Sequence, residues 1–133
     1  MNPNSFLSKV LSIFQNKCPQ CHRGNFWEHG NPYFNLFFRK ARMVEICSKC
    51  GLKYEMESGF WYGGMLMSYV INVGLLIMGW ITSELLFEEI GIWKEAGFIS
   101  FFMVLFFPVT FYLSRLLWIN FFVNYDPSKW RDP

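Results

Sequence analysis

Two long apolar stretches dominate the second half of the chain. From Phe60 to Ser83 there are 24 residues without a charge. As a helix rising 1.5 Å per residue, such a run covers about 36 Å, enough to cross the roughly 30 Å hydrocarbon layer of a bilayer. A second uncharged stretch runs from Gly97 to Leu113, and beyond Arg115 the chain stays apolar to Val123. One helix from about Phe98 to Phe121, bent at Pro108, is expected there. Between the two runs, Glu84, Glu88 and Glu95 fall on one helical face and Leu86, Ile90 and Trp93 on another, predicting a short amphipathic cap where a hairpin leaves the bilayer. A weaker pattern opens the chain. Phe6, Leu7, Val10, Leu11, Ile13 and Phe14 recur at helical spacing, opposite Ser8, Lys9, Ser12 and Gln15, which predicts an amphipathic helix lying either at a membrane surface or on the neighbouring domain. This segment has neither a continuous apolar core nor a small-residue cleavage site, so it is not expected to act as a signal peptide.

Between these apolar elements lie two cysteine pairs, Cys18-Pro19-Gln20-Cys21 and Cys47-Ser48-Lys49-Cys50, separated by 25 residues and accounting for all four cysteines. Each Cys-x-x-Cys turn presents two sulfurs at the edge of one tetrahedron, so the pairs together predict a single four-thiolate metal site. Structural zinc is the first expectation. A rubredoxin-like iron site uses the same ligands, and disulfides or a thioredoxin-like use of Cys18 and Cys21 stay open on the pattern alone. Gly24 and Gly51, just past the knuckles, suit tight backbone. His22 and His29 read as surface histidines, because four cysteines already fill the coordination sphere. Met43 to Ile46 and Leu52 to Met56 are expected as short ribbon strands, Asn31-Pro32-Tyr33 as a turn, and Phe34 to Lys40 as a helical or irregular insert. Phe26, Trp27, Tyr33, Phe34, Phe37 and Phe38 are too many aromatics for so small a head to bury, so they either cover the metal site or face lipid or a partner.

Composition sharpens this picture. The chain has 133 residues, 53% hydrophobic and 21% aromatic, an unusual load for a soluble domain of this size. Fewer than 60 residues precede Gly59, and a head that small seldom holds together on its apolar core alone. A bound structural zinc contributes roughly 10 to 16 kcal/mol in finger peptides, enough to decide its folding. Eight of the twelve Lys and Arg precede Gly59, and Arg115, Lys129 and Arg131 follow the second span, leaving only Lys94 in the connection. Both termini are therefore expected on the cytoplasmic side of the membrane. That side is reducing, which favours thiolates over disulfides. The net charge of +2 gives no reason to expect nucleic acid.

Gly59 and Gly63 form a small-xxx-small step, and Gly64, Ser68 and Asn72 continue a small or polar stripe at spacings of four. The stripe predicts close approach by another helix, either the second span through Thr110 and Ser114 or a partner's helix, with Asn72 alternatively bonding a cofactor or lipid headgroup. Arg115 is the one charge enclosed by apolar sequence. It is expected either to snorkel to headgroups or to meet an acidic group on another subunit.

The linked order Cys18-Pro19-x-Cys21-x-x-Gly24, Asn31-Pro32-Tyr33, Cys47-x-x-Cys50-Gly51-Leu52-x-Tyr54 and Gly59-Phe60-Trp61-Tyr62-Gly63-Gly64-Met65-Leu66-Met67-Ser68-Tyr69 resembles the bacterial family called domain of unknown function 983. The Asn-Pro-Tyr insert resembles its Bacteroidetes branch. The resemblance spans most of residues 18 to 120, departing at Gly64, where alanine is common, and at Leu66, where an aromatic is common. Neither departure touches the expected ligands. The family has no established activity, so the resemblance implies an organisation rather than a reaction. Gene neighbourhoods near cytochrome c oxidase and its assembly imply a respiratory context for its members.

The expected architecture is a mainly α membrane protein. It comprises an amphipathic helix (1–17), a zinc-ribbon head with short β-strands (18–58), two transmembrane helices (59–83 and 97–123) joined by a periplasmic loop or cap (84–96), and a cytoplasmic tail (124–133). No nucleophile with a paired base, acidic dyad, phosphate-binding loop or dinucleotide fingerprint is recognisable, so catalysis is not expected. The expected role is that of a non-catalytic accessory subunit or assembly factor. It would contact membrane lipid and dock on a larger membrane complex, a terminal oxidase or linked respiratory assembly. The alternative is a metal-handling or redox-sensing protein using Cys18, Cys21, Cys47 and Cys50.

Overall fold

The computed structural model describes residues 6–38, 42–87 and 91–129. Four α-helices follow in chain order: α1 (Phe6–Phe14), α2 (Pro32–Phe38), α3 (Trp61–Leu86) and α4 (Ile92–Phe122), with a 3-10 turn at Pro127–Lys129. Helices α3 and α4 contain 26 and 31 residues, and an 18-residue stretch within each has a mean hydropathy of 1.7 and 2.0 respectively, so both are long and apolar enough to cross a membrane. They pack as a hairpin, and α1 and α2 each lie against α4, so α4 is the element that touches every other helix.

The hairpin closes through small residues. A methyl group on Gly63 would stand 1.8 Å from the Trp118 ring, and one on Gly79 would stand 3.4 Å from Phe102. Between these two close approaches the Ser68 hydroxyl lies 2.7 Å from the Ser114 hydroxyl. Near the connection the Ser83 hydroxyl donates to Glu95 at 3.3 Å. Apart from this seam most large side chains of the pair point outward, among them Tyr62, Met65, Leu66, Tyr69, Phe101 and Val104. Such a surface is stable only when something apolar covers it.

Three expectations are corrected. The amphipathic cap over Glu84 to Ala96 does not form as a separate element, because α3 continues to Leu86 and α4 begins at Ile92; Glu88 and Ile90 of that cap lie outside the described residues. A few charges at the ends of long apolar helices do not stop them, since each helical backbone satisfies its own hydrogen bonds whatever its side chains. The ribbon strands flanking the second knuckle do not form either. Among the described residues the β-type pairing consists of isolated bridges, Lys17 with Asn25, Trp27 with Met43 and Ile46 with Lys53. Finally, Asn31-Pro32-Tyr33 starts α2 rather than making a free turn. The Asn31 side-chain oxygen accepts from the amides of Tyr33 and Phe34 at 3.0 and 3.3 Å, while Pro32, which has no N–H to satisfy, occupies the first helical position. Lys40, at the end of the expected insert, lies outside the described residues.

Helix α1 turns Ser12 and Ile13 inward and leaves Phe6, Leu7, Leu11 and Phe14 exposed. Most of its apolar stripe therefore faces away from the protein. The α4 helix is continuous through Pro108.

Candidate metal centre

The two knuckles fold as near copies of each other. In each, the residue after the second cysteine adopts a left-handed conformation, His22 at φ 53° and Gly51 at φ 74°. Each also donates its amide to the carbonyl of the first cysteine, His22 to Cys18 and Gly51 to Cys47, both at 2.9 Å. The first cysteine's own amide is then satisfied by the returning chain, Cys18 N–H by the Gly24 carbonyl at 2.8 Å and Cys47 N–H by that of Leu52 at 2.9 Å. These bonds fold each Cys-x-x-Cys segment back on itself and turn both of its sulfurs to one side.

Cys18, Cys21, Cys47 and Cys50 are all buried, and their sulfurs lie within 4.8 Å of one another. The Sγ atoms of Cys18 and Cys50 are 3.7 Å apart, as are those of Cys21 and Cys47. These separations rule out disulfides, whose sulfurs are bonded at about 2.05 Å. They match the roughly 3.8 Å edge of a tetrahedron built on metal–sulfur bonds of about 2.3 Å. The donor set and the spacing fit a soft, tetrahedrally coordinated metal ion.

Burial pushes the Cys18 thiol up to about 11 and raises Cys50 further. At Cys47 burial also raises the value, but the amides of Lys49 and Cys50 and the Tyr54 hydroxyl outweigh it and bring the thiol down to about 7. Thiolates favoured by backbone amides at the knuckle turns are the form a metal binds.

An aromatic floor supports the site. Phe26, Trp27 and Tyr54 are 0%, 1% and 1% exposed, and Phe26 and Tyr54 meet at 4.7 Å between ring centroids. The Tyr54 hydroxyl donates to the Asn25 carbonyl at 3.1 Å, and burial followed by the adjacent Cys18 thiolate raises its pKa. Trp27 stacks on Tyr112 of α4 at 5.4 Å and donates its indole N–H to the Tyr112 carbonyl at 3.3 Å. Of the aromatics noted in the sequence, Phe26 and Trp27 thus lie in the floor, whereas Phe37 and Phe38 are 70% and 73% exposed. Gly24 serves by its lack of bulk, since a Cβ there would stand 2.3 Å from the Cys47 sulfur.

Sequence reasoning missed Asn16. This residue is 5% exposed at φ 58° and holds the backbone of Trp27 from both sides, accepting from its amide at 2.8 Å and donating to its carbonyl at 3.0 Å. The signal was an asparagine, the residue that best tolerates left-handed backbone after glycine, two residues past the end of α1. His22 differs from expectation. It is half-buried, with its ring 4.6 Å from Tyr125 and Nδ1 3.4 Å from the Ser8 hydroxyl, and burial followed by the Lys9 charge lowers its pKa. His29 is exposed, with its ring against Phe34.

The stripe residues lie apart from the sulfurs. Gly59, at φ 85°, precedes α3, and Gly63 receives the Trp118 ring, whose N–H donates to the Phe60 carbonyl at 2.9 Å. A Cβ on Gly64 would meet Arg115 Cγ at 3.6 Å. Ser68 reaches Ser114, whereas Thr110 bonds the Phe106 carbonyl of its own helix. Asn72 is half-buried midway along α3. The Arg115 guanidinium lies over the rings of Phe111 and Trp61 at 4.3 and 5.4 Å and touches the Met43 sulfur at 3.5 Å, so it joins α4, the start of α3 and the head.

No family model, curated protein or solved structure matches this chain.

Proposed function

We propose that this chain is a non-catalytic two-pass membrane protein in which a structural zinc ion held by Cys18, Cys21, Cys47 and Cys50 stabilises a head that docks on a larger membrane complex. The observation that carries this reading is the burial of all four sulfurs, each cysteine being at most 8% exposed. A closed four-thiolate sphere leaves no position for water or substrate, which is the mark of a structural site rather than a catalytic one. Zinc is preferred over iron on ligand type and closed four-coordination, the usual form of a structural zinc site.

The outward-facing aromatic and aliphatic side chains of α3 and α4 support contact with lipid and with the helices of a partner. The resemblance to the domain of unknown function 983 family supports a place in a respiratory assembly, with a terminal oxidase as the partner and the bacterial inner membrane as the location. Both termini then face the cytoplasm.

Gentle detergent extraction followed by affinity purification should recover a stoichiometric membrane complex. A monodisperse lone chain would count against the accessory role. Metal analysis of the same preparation should give one zinc per chain that persists against a moderate chelator. Rapid exchange of the metal would favour a metal-handling or redox-sensing role instead.

A further inference from the structure

The second helix of the proposed hairpin carries its own depth scale. Glu95 and Arg115 are the charges that bound its uncharged stretch, 96 to 114. At 1.5 Å per residue those 19 residues span about 28 Å, close to the roughly 30 Å hydrocarbon thickness. Leu105 stands midway, ten residues from each charge.

Helix α2 is tied to that midpoint, the Tyr33 hydroxyl donating to the Leu105 carbonyl at 2.7 Å. Counting along α4, this bond lies about 15 Å inward from the level of Arg115. The rest of the loop is hung from higher on the same helix, through Trp27 on Tyr112 and Met43 on Arg115. From Trp27, at the level of Tyr112, the described chain therefore runs deeper alongside α4 to reach α2 at the level of Leu105.

The geometry points to a re-entrant element: α2 lies in the hydrocarbon of the cytoplasmic leaflet, with Phe37 and Phe38 against lipid acyl chains. This inference rests on the proposal that α4 spans the membrane.

Two further observations agree with a lipid surround. Phe37 and Phe38 are exposed, and Tyr33 and Phe34 partly so, an apolar surface that water would penalise. The backbone donors at the helix start are also satisfied from within, as hydrocarbon requires. Tyr33 and Phe34 amides bond the Asn31 side chain, the Asn35 amide bonds the Asn31 carbonyl at 3.1 Å, and Pro32 has no donor. The Asn35 side chain, 2% exposed, closes the loop by accepting from the His29 amide and donating to its carbonyl.

The experiment places a fluorescent non-natural amino acid at Phe37, or at Phe101 on the outward face of α4, in full-length protein reconstituted into phosphatidylethanolamine–phosphatidylglycerol vesicles. Phe38 serves as a second label site should the Phe37 variant lose its metal. Nitroxides on lipid acyl chains should quench the label at Phe37 to within about twofold of the label at Phe101, and aqueous iodide should quench neither. Quenching of Phe37 by iodide while Phe101 answers to chain nitroxides would overturn the re-entrant element and leave the spanning helix intact. Shielding of Phe37 from both quenchers would assign the α2 face to a protein surface and equally overturn it. Quenching of Phe101 by iodide would remove the membrane reading and this inference together.

Discussion

Replacing Gly63 by alanine adds one methyl group at the tightest point of the helical seam. That methyl would stand 1.8 Å from the Trp118 ring, so the ring must move or the helices must part. The ring is not free to move. Its N–H is held by the Phe60 carbonyl at 2.9 Å, and Phe122 packs on it at 4.8 Å between centroids. Losing that hydrogen bond costs about 1 kcal/mol, and overpacking costs a further 1 to 3 kcal/mol. Alanine returns up to about 1 kcal/mol of helix propensity, leaving a net destabilisation of roughly 1 to 3 kcal/mol. Gly74→Ala is the matched control, because a Cβ there meets nothing within 4 Å in the same helix, and it should be neutral or slightly stabilising. Reversible denaturant unfolding in detergent micelles gives the differences, and a cycle with Trp118→Leu isolates the contact. The double variant should be less unstable than the sum of the singles by at least about 1 kcal/mol. Equal behaviour of Gly63→Ala and Gly74→Ala, or strict additivity with Trp118→Leu, would refute the seam as described.

Gly24→Ala crowds the Cys47 sulfur and should lower metal affinity at least about tenfold, with the helical content of the hairpin unchanged by circular dichroism; unchanged affinity in a chelator competition would contradict the site. Trp27→Phe removes the indole bond to the Tyr112 carbonyl and should cost about 1 to 2 kcal/mol, read as earlier thermal release of the metal from purified protein. Because burial holds the Cys18 thiol at about 11, metal binding at neutral pH must displace its proton. Apparent affinity should therefore fall as pH is lowered, by about tenfold per unit for each proton displaced. A pH-independent competition with a chromophoric chelator would contradict thiolate ligation.

The two long helices were legible because uncharged length is a direct physical requirement for crossing hydrocarbon, and the four sulfurs were legible because paired spacing leaves little freedom in how they converge. Their surroundings were less so. Asn31-Pro32 reads as a turn, yet a side chain that satisfies backbone amides and a residue with no amide are equally what a helix start requires. The choice is made by α4, which offers α2 a surface. The expected ribbon failed for a related reason. The chain between the knuckles contacts α4 at Tyr112, Leu105 and Arg115, and among the described residues its pairing with the segments beside the knuckles is limited to isolated bridges. His22 takes the left-handed turn that glycine takes at position 51, a substitution that residue preferences alone do not announce.

The contacts that join the head to the hairpin have a consequence for the order of synthesis. Trp27, Tyr33, Met43 and Gln20 meet Tyr112, Leu105, Arg115 and Asp126 respectively, all of which leave the ribosome some 70 or more residues later. All four cysteines able to hold a metal ion are present once residue 50 has emerged, but the aromatic side of the head has nothing to rest on until α4 has been made. Assembly is thus paced from the far end of the chain, and a nascent chain stalled after α3 would expose Trp27 and α2 together to chaperones and proteases.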